Sequence, residues 1–288
     1  MNRKRVELHI EKKVDDWMKH SNLPSYIKDE VIITGGCIVS LLTDQEVNDY
    51  DMYFLHLATV EALAKKYADL FQASPPTELL NEIGEAPEVK VVATDKRVYL
   101  DIKIKDDPFK GLVSEDFSIL LKKMLHDRTP TEDKPKYRPV YCSKNAITLS
   151  DKMQIILRFY GDANEIHKNF DFTHCKGYWT NQTGLVLPED TLACILTKEL
   201  VYSGSLYPLA SIFRTRKFIQ RGWNINVGQY VKMALQLQGM DLTNKEVLAE
   251  QLTGVDSALW EGVIKQMMES GDTQVVVDEL FDIIDEVF

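Results

Sequence analysis

The sequence predicts an α+β fold: a mixed, twisted sheet with flanking helices over about residues 1–180, then an all-helical C-terminal domain over 181–288. Three observations predict it. Short apolar runs bounded by turn residues recur through the first part, as in Val31-Ile-Ile33 and Met153-Gln-Ile-Ile-Leu-Arg-Phe159. Stretches with helical spacing are interleaved with these runs, so helices can pack against the sheet they form. From about residue 188 the apolar spacing turns helical and stays so to the end. At 288 residues the chain has room for two domains of ordinary size.

Each element follows from its residues. Residues 5–20 carry Val6, Ile10, Val14 and Trp17 on one stripe, with Lys12, Lys13, Asp15 and Asp16 elsewhere, an amphipathic helix that Asn22-Leu-Pro24 ends. Val31–Ile33 and Met52–Leu55 read as buried strands on either side of a double glycine and a helix. Thr59–Phe71 reads as a helix through Val60, Leu63, Ala64, Tyr67 and Leu70, stopped by Ser74-Pro-Pro76. Val89–Ala93 and Val98–Ile104 form a hairpin turning at Thr94-Asp-Lys-Arg97, with Tyr99, Asp101, Lys103 and Lys105 on one face. Residues 127–139, charged and punctuated by Pro130, Pro135 and Pro139, read as an exposed loop. Strands over Asn145–Thr148 and Met153–Phe159 follow, then a short helix near Asn164–Asn169 and a strand from Phe170 toward Trp179. The helices of the second domain fall at Thr191–Tyr202, Leu209–Gln220, Gly228–Gln238, Asn244–Leu252, Ser257–Ser270 and Thr273–Phe288. The last carries Val276, Leu280, Ile283, Ile284 and Val287 against an acidic face, the pattern of a docked terminal helix.

The chemistry concentrates in Val31-Ile-Ile-Thr-Gly-Gly-Cys-Ile-Val-Ser-Leu-Leu-Thr-Asp-Gln-Glu-Val-Asn-Asp-Tyr-Asp51. On a strand, Asp49 and Asp51 point the same way, so two carboxylates face one spot. Mg²⁺ takes one or two carboxylates together with substrate phosphates and water. Gly35 and Gly36, at the strand-to-helix turn, let backbone N–H groups approach a phosphate. Asn48-Asp49 also has the composition of a turn, which allows the simpler reading of solvated acids. Against that, acids beside two buried strands are costly unless a cation compensates them.

This spacing resembles the signature of the DNA polymerase β-like nucleotidyltransferase superfamily, in which paired small residues precede an acidic pair on the next strand. Gly35, Gly36 and Ser40 match its first half, Asp49 and Asp51 its second. The stretches Gln154-Ile-Ile and Phe170-Asp-Phe172 resemble a branch of that superfamily found in phages and large viruses, where a Phe-Asp segment supplies the last metal ligand. Tyr207-Pro208, Arg214, Lys217 and Arg221-Gly222 are similar to that branch's basic helix. The resemblance spans about residues 31–222. It implies a nucleotidyltransferase-type catalytic domain over 1–180 and a metal set of Asp49, Asp51 and Asp171, with Asp101 as the alternative third acid. It also implies two Mg²⁺ ions, with Mn²⁺ able to replace them, and triphosphate binding by Gly35, Gly36, Ser40, Arg214, Lys217 and Arg221. Gln154 is a candidate for base or ribose contact. The Arg-Asp pair that follows the glycines in tRNA CCA-adding and bacterial poly(A) enzymes is absent, and Cys37 has no role in the pattern.

Composition narrows the field. A net charge of −10 and a pI near 5.2 argue against an extended nucleic-acid footprint, which needs clustered Lys and Arg. No apolar run reaches the roughly 20 residues that cross a bilayer, and the first residues lack a signal-peptide core, so the expectation is a cytoplasmic protein, in the host cytoplasm if phage-encoded. Cys37, Cys142, Cys175 and Cys194 form no Cys-x-x-Cys pair, and His174-Cys175, on a strand, would point to opposite faces. The expected function is metal-dependent transfer of a nucleoside monophosphate from an NTP to an acceptor hydroxyl on an RNA 3′ end such as tRNA, a protein side chain or a small molecule. A nucleotide-binding protein that keeps the fold without catalysis is the alternative, and a structural protein docking a partner through its acidic helices is a third.

Overall fold

The structure, a computed structural model, describes residues 2–77, 79–80, 86–103, 134–242 and 244–252. The chain divides into two compact units. The first holds the described residues up to Phe170 together with His174–Leu196; the second holds Asp171–Thr173 and the described residues from Thr197 onward. The helices expected at 257–270 and 273–288 lie outside the described residues, as do Ile104, Lys105 and residues 127–133 of the expected loop.

The first unit is a mixed seven-stranded sheet with helices against it. In chain order it contains α1 (Arg3–His20), α2 (Ile27–Glu30), β1 (Val31–Thr34), α3 (Gly36–Leu42), β2 (Tyr50–Phe54), α4 (Leu57–Ala73), β3 (Glu88–Ala93), β4 (Val98–Lys103), β5 (Pro139–Ser143), β6 (Ala146–Leu149), β7 (Met153–Tyr160), α5 (Ala163–His167), β8 (Tyr178–Thr180), β9 (Gly184–Val186) and α6 (Glu189–Thr197). The strand order is β5-β6-β7-β2-β1-β8-β9, with β2 and β7 parallel and the other pairs antiparallel. Strands β3 and β4 make a separate two-stranded sheet. The Thr94 N–H donates to the Arg97 carbonyl at 2.9 Å, closing that hairpin where turn residues were expected.

Helix α1 starts at Arg3 because the Asn2 side chain accepts the Arg5 N–H, satisfying a donor the first turn leaves unpaired. Its stripe of Val6, Ile10, Val14 and Trp17 is fully buried. The Trp17 Nε1–H donates to the Tyr67 hydroxyl of α4 at 2.8 Å, and its ring lies 6.4 Å from that of Phe54. The sheet face bearing Ile33, Met52 and Ile155, paired in register, is therefore sealed. The opposite face is less covered: on β7 Met153, Ile155 and Leu157 are buried, whereas Gln154, Ile156 and Arg158 are only half-buried. That alternation is the period of two on a strand with one packed side.

The second unit contains α7 (Pro208–Gln220), α8 (Val227–Leu237) and α9 (Lys245–Gln251). Phe172 packs between Tyr202 and Phe218, with ring centroids 6.0 and 5.5 Å away. Two expectations are corrected here. The helix expected over Thr191–Tyr202 ends at Thr197, because Lys198 takes a left-handed backbone (φ 54°), Glu199 bridges Asn224 and Tyr202 bridges Phe172. The strand expected from Phe170 does not form. The Phe170 N–H closes onto His167 O, Phe172 makes a single bridge, and Thr173–Cys175 is a turn of 3₁₀ helix, so β8 begins only at Tyr178. Among the described residues no helix is long and apolar enough to cross a membrane.

Candidate functional site

The sequence Val-Ile-Ile-Thr builds a buried central strand, and Gly35 turns the chain directly into α3. Gly35 has φ +95° and ψ −154°, a region that only glycine occupies without strain. A Cβ on Gly35 would lie 3.5 Å from Asp51 Oδ2 and 4.0 Å from the Phe170 ring. Both distances are ordinary contacts, so the position is reserved for glycine by its backbone conformation rather than by lack of space. Gly35→Ala is expected to lower stability by about 1–3 kcal/mol through its backbone alone, a loss that urea unfolding would measure. Gly36 is exposed, with nothing within 4 Å of its would-be Cβ. Ser40 is buried one turn further along α3.

Asp51 lies in β2 directly opposite Thr34 and beside Gln154 of β7. Asp49 precedes the strand. Its loop is held by Lys152, whose ammonium donates to Val47 O at 2.9 Å and to Glu46 at 2.7 Å, while Lys152 O accepts the Tyr50 N–H at 2.7 Å. Both acids are half-buried. Tyr50, between them, bonds His9 Nε2 through its hydroxyl at 2.7 Å, and burial pushes that phenol up to about 12. Burial and the charge of Asp51 hold the Cys37 thiol well above its ordinary range, so it stays protonated beside the acid.

A buried relay supports this turn. Thr34 Oγ1 donates to Gly177 O at 2.7 Å, and therefore accepts from His167 Nε2 at 2.8 Å. The His167 ring packs on Phe170 (5.0 Å) and Tyr178 (5.8 Å). Nothing local in the sequence marks His167 or Thr34, which meet across 133 positions. Burial, with Lys176 nearby, lowers His167 to about 4 from 6.5. Because the folded value is below the unfolded one, its contribution is present above pH 6.5 and is lost as pH falls from 6.5 toward 4. The melting temperature is expected to drop across that window, and His167→Gln, which keeps a donor but does not titrate, should flatten the drop.

The remaining predicted residues are distributed as follows. Asp171 belongs to the second unit, where its Oδ2 accepts from Arg214 Nη1 at 2.6 Å and its side chain is 14 % exposed. Two residues assigned to different tasks, metal and phosphate, are thereby brought together. Lys217 is exposed on α7, and Arg221 caps that helix with non-helical dihedrals. Asp101 sits on β4, in the two-stranded sheet, and faces Lys103 at 3.8 Å. Gln154 Nε2 donates to Thr148 Oγ1 at 3.0 Å. His174 Nε2 and Cys175 Sγ are 3.2 Å apart, since the 3₁₀ turn, unlike a strand, brings neighbouring side chains together. Among the described residues, no group of three or more His, Cys, Asp and Glu side chains is gathered to hold a metal ion.

The profile of a family described as Gabija anti-defense 2 family protein matches residues 8–198. The chain belongs to the Gabija anti-defense 2 family. The matched residues contain Gly35, Gly36, Ser40, Asp49, Asp51 and Asp171, and leave Arg214, Lys217 and Arg221 outside. A curated relative, Gabija anti-defense 2 of Bacillus phage SPbetaL7, is 23 % identical over 260 residues, covering 89 % of this chain and 50 % of its own. The chain therefore spans about half the length of the curated family member it matches. Among solved structures, the Thermotoga maritima CCA-adding enzyme complexed with tRNA superposes with a TM-score of 0.46 at 10 % identity, over 98 % of this chain and 54 % of that one.

Proposed function

We propose that this Gabija anti-defense 2 family protein is a metal-dependent nucleotidyltransferase of the polymerase β-like superfamily, acting in the host cytoplasm and serving a phage against the Gabija defence. The observation that carries the reading is the approach of the Gly35 backbone to the Asp51 carboxylate at the open end of β1. A left-handed glycine whose would-be Cβ lies 3.5 Å from Asp51 Oδ2 sets the strand-to-helix turn, and the N–H groups that follow it, alongside the acid.

Asp49 and Asp51 offer hard oxygen donors in the number that Mg²⁺ or Mn²⁺ takes beside a triphosphate, so the donor set fits the group. When bound, such a cation would neutralise charge on the α-phosphate and lower the pKa of an acceptor hydroxyl. The chain's own groups do the rest. Exposed Gly36, and the N–H groups that follow it, face the leaving phosphates. Arg214, Lys217 and Arg221 supply positive charge, and Asp171 is the proposed third acid. The acceptor hydroxyl gives up its proton to solvent as its oxygen bonds the α-phosphorus, the bond from that phosphorus to the bridging oxygen breaks, and pyrophosphate leaves. The acceptor is a hydroxyl of an RNA 3′ end such as tRNA, a protein side chain or a small molecule.

The Arg214–Asp171 pair favours a second reading, a nucleotide-binding protein without transfer, because a carboxylate engaged by a guanidinium is not available to a cation. One experiment separates the two. Each α-labelled NTP is titrated with Mg²⁺ and then incubated with host extract. Transfer of label supports the enzyme, binding without transfer supports the second reading, and absence of binding in folded protein overturns both.

A further inference from the structure

A single row of side chains crosses the half-open face of the sheet. Backbone register places Tyr141 opposite Thr148, Thr148 opposite Gln154, Gln154 beside Asp51, and Asp51 opposite Thr34. Directly paired residues share a face, so Gln154 is the cross-strand neighbour of Asp51 on the side where Asp51 points. Neighbouring strands stand about 4.8 Å apart.

The Gln154 amide is fixed. Its Nε2 donates to Thr148 Oγ1 at 3.0 Å, and Thr148, at 1 % exposure, has little freedom to move away. With the nitrogen engaged by Thr148, the carbonyl oxygen is the part of the amide left to meet a ligand beside Asp51. An amide oxygen accepts and does not donate. The group it can receive must therefore be a donor, held within one strand spacing of the triphosphate seat at Asp51. Of the parts of a nucleotide, the sugar is joined to the α-phosphorus through one ester oxygen, while the base lies a ring further away. Its donors are hydroxyls.

We propose that Gln154, oriented by Thr148, receives the ribose 2′-hydroxyl of the incoming nucleotide, and so makes this protein selective for ribonucleotides over deoxyribonucleotides. The inference rests on the reading that Asp49 and Asp51 seat the triphosphate. It adds the sugar class, which neither the family nor the acid motif specifies.

The test measures binding rather than turnover. Calorimetric titrations with Ca²⁺ present compare ATP, CTP, GTP and UTP with their 2′-deoxy counterparts. Whichever base binds, the ribonucleotide is expected to bind about tenfold more tightly, the fold-change of one net hydrogen bond. Gln154→Leu is expected to bring the ribonucleotide down to the deoxyribonucleotide's affinity and leave the latter unchanged. Gln154→Glu, which keeps an accepting oxygen, should retain the ratio, and Thr148→Val, which releases the amide, should reduce it. Gln154→Ala replaces the leucine variant if that fails to melt cooperatively. Equal affinity of wild type for both sugars, or equal weakening of both by Gln154→Leu, overturns the proposal and leaves the nucleotidyltransferase reading standing. If folded wild type binds no nucleotide of either kind, the reading of the Asp49–Asp51 seat itself fails, and Gln154 with it.

Discussion

Asp51→Asn is expected to reduce label transfer by about 10³-fold or more, the scale on which removal of one preorganised electrostatic group acts, while the protein keeps its fold. The substitution is nearly isosteric. It leaves the β1–β2 ladder, in which Asp51 pairs with Thr34 through the backbone, untouched. What it removes is one negative charge beside the Gly35 turn. Asp49→Asn should act in the same direction. Asp101→Asn is the informative contrast: it carries the same chemical change on β4, in a sheet that does not contain Asp51, opposite Lys90 and beside Lys103 of its own strand. Transfer should survive it. The second readout is thermal. A cation bound only by the native state raises its melting temperature by mass action, and that Mg²⁺-dependent rise should disappear in both Asp49→Asn and Asp51→Asn. Loss of transfer in Asp101→Asn alone would move the site to the other sheet.

Much of the first unit was legible because its signals are local. An unbroken β-branched run such as Val31-Ile-Ile33 next to a double glycine favours a strand buried on both faces, and the Val6, Ile10, Val14, Trp17 stripe favours a helix with one buried side, and each is buried as that reading requires. The glycine turn was legible for the same reason: two residues without side chains between a strand and a helix mark a sharp turn, and Gly35 makes it with a backbone conformation open to glycine. What was not legible depends on partners far along the chain. Phe170-Asp-Phe172 has strand composition, yet its neighbours are His167 and Tyr202 rather than a ladder. Helical spacing continues past Thr197, but pairing of Glu199 with Asn224 stops the helix. Strands β8 and β9, three residues each, are too short for a period to register. The Thr34–His167 contact joins positions whose only common signal is the fold itself.

Arg214→Ala is expected to destabilise the protein by about 1–3 kcal/mol, between the worth of an exposed ion pair and the cost of breaking a fully buried one. The asymmetry of the pair sets the direction. Asp171 is 14 % exposed and Arg214 31 %, so deleting the arginine strands the more buried charge, whereas Asp171→Asn leaves a guanidinium that water can reach. Asp171→Asn should therefore cost less, and the double variant Arg214→Ala/Asp171→Asn should be more stable than Arg214→Ala alone. Urea unfolding of the three variants closes the cycle and isolates the pair. Repeating it with Mg²⁺ then decides what the pair is for. If Asp171 serves as the third acid, a divalent cation supplies the charge that Arg214 supplied, and Mg²⁺ should restore part of the stability lost in Arg214→Ala. It should restore none in the double variant, which has no carboxylate at 171 to receive it. If Mg²⁺ leaves the Arg214→Ala deficit unchanged while Asp171→Asn still transfers label, the pair is an anchor of the second unit and the metal site is built from Asp49 and Asp51 without it.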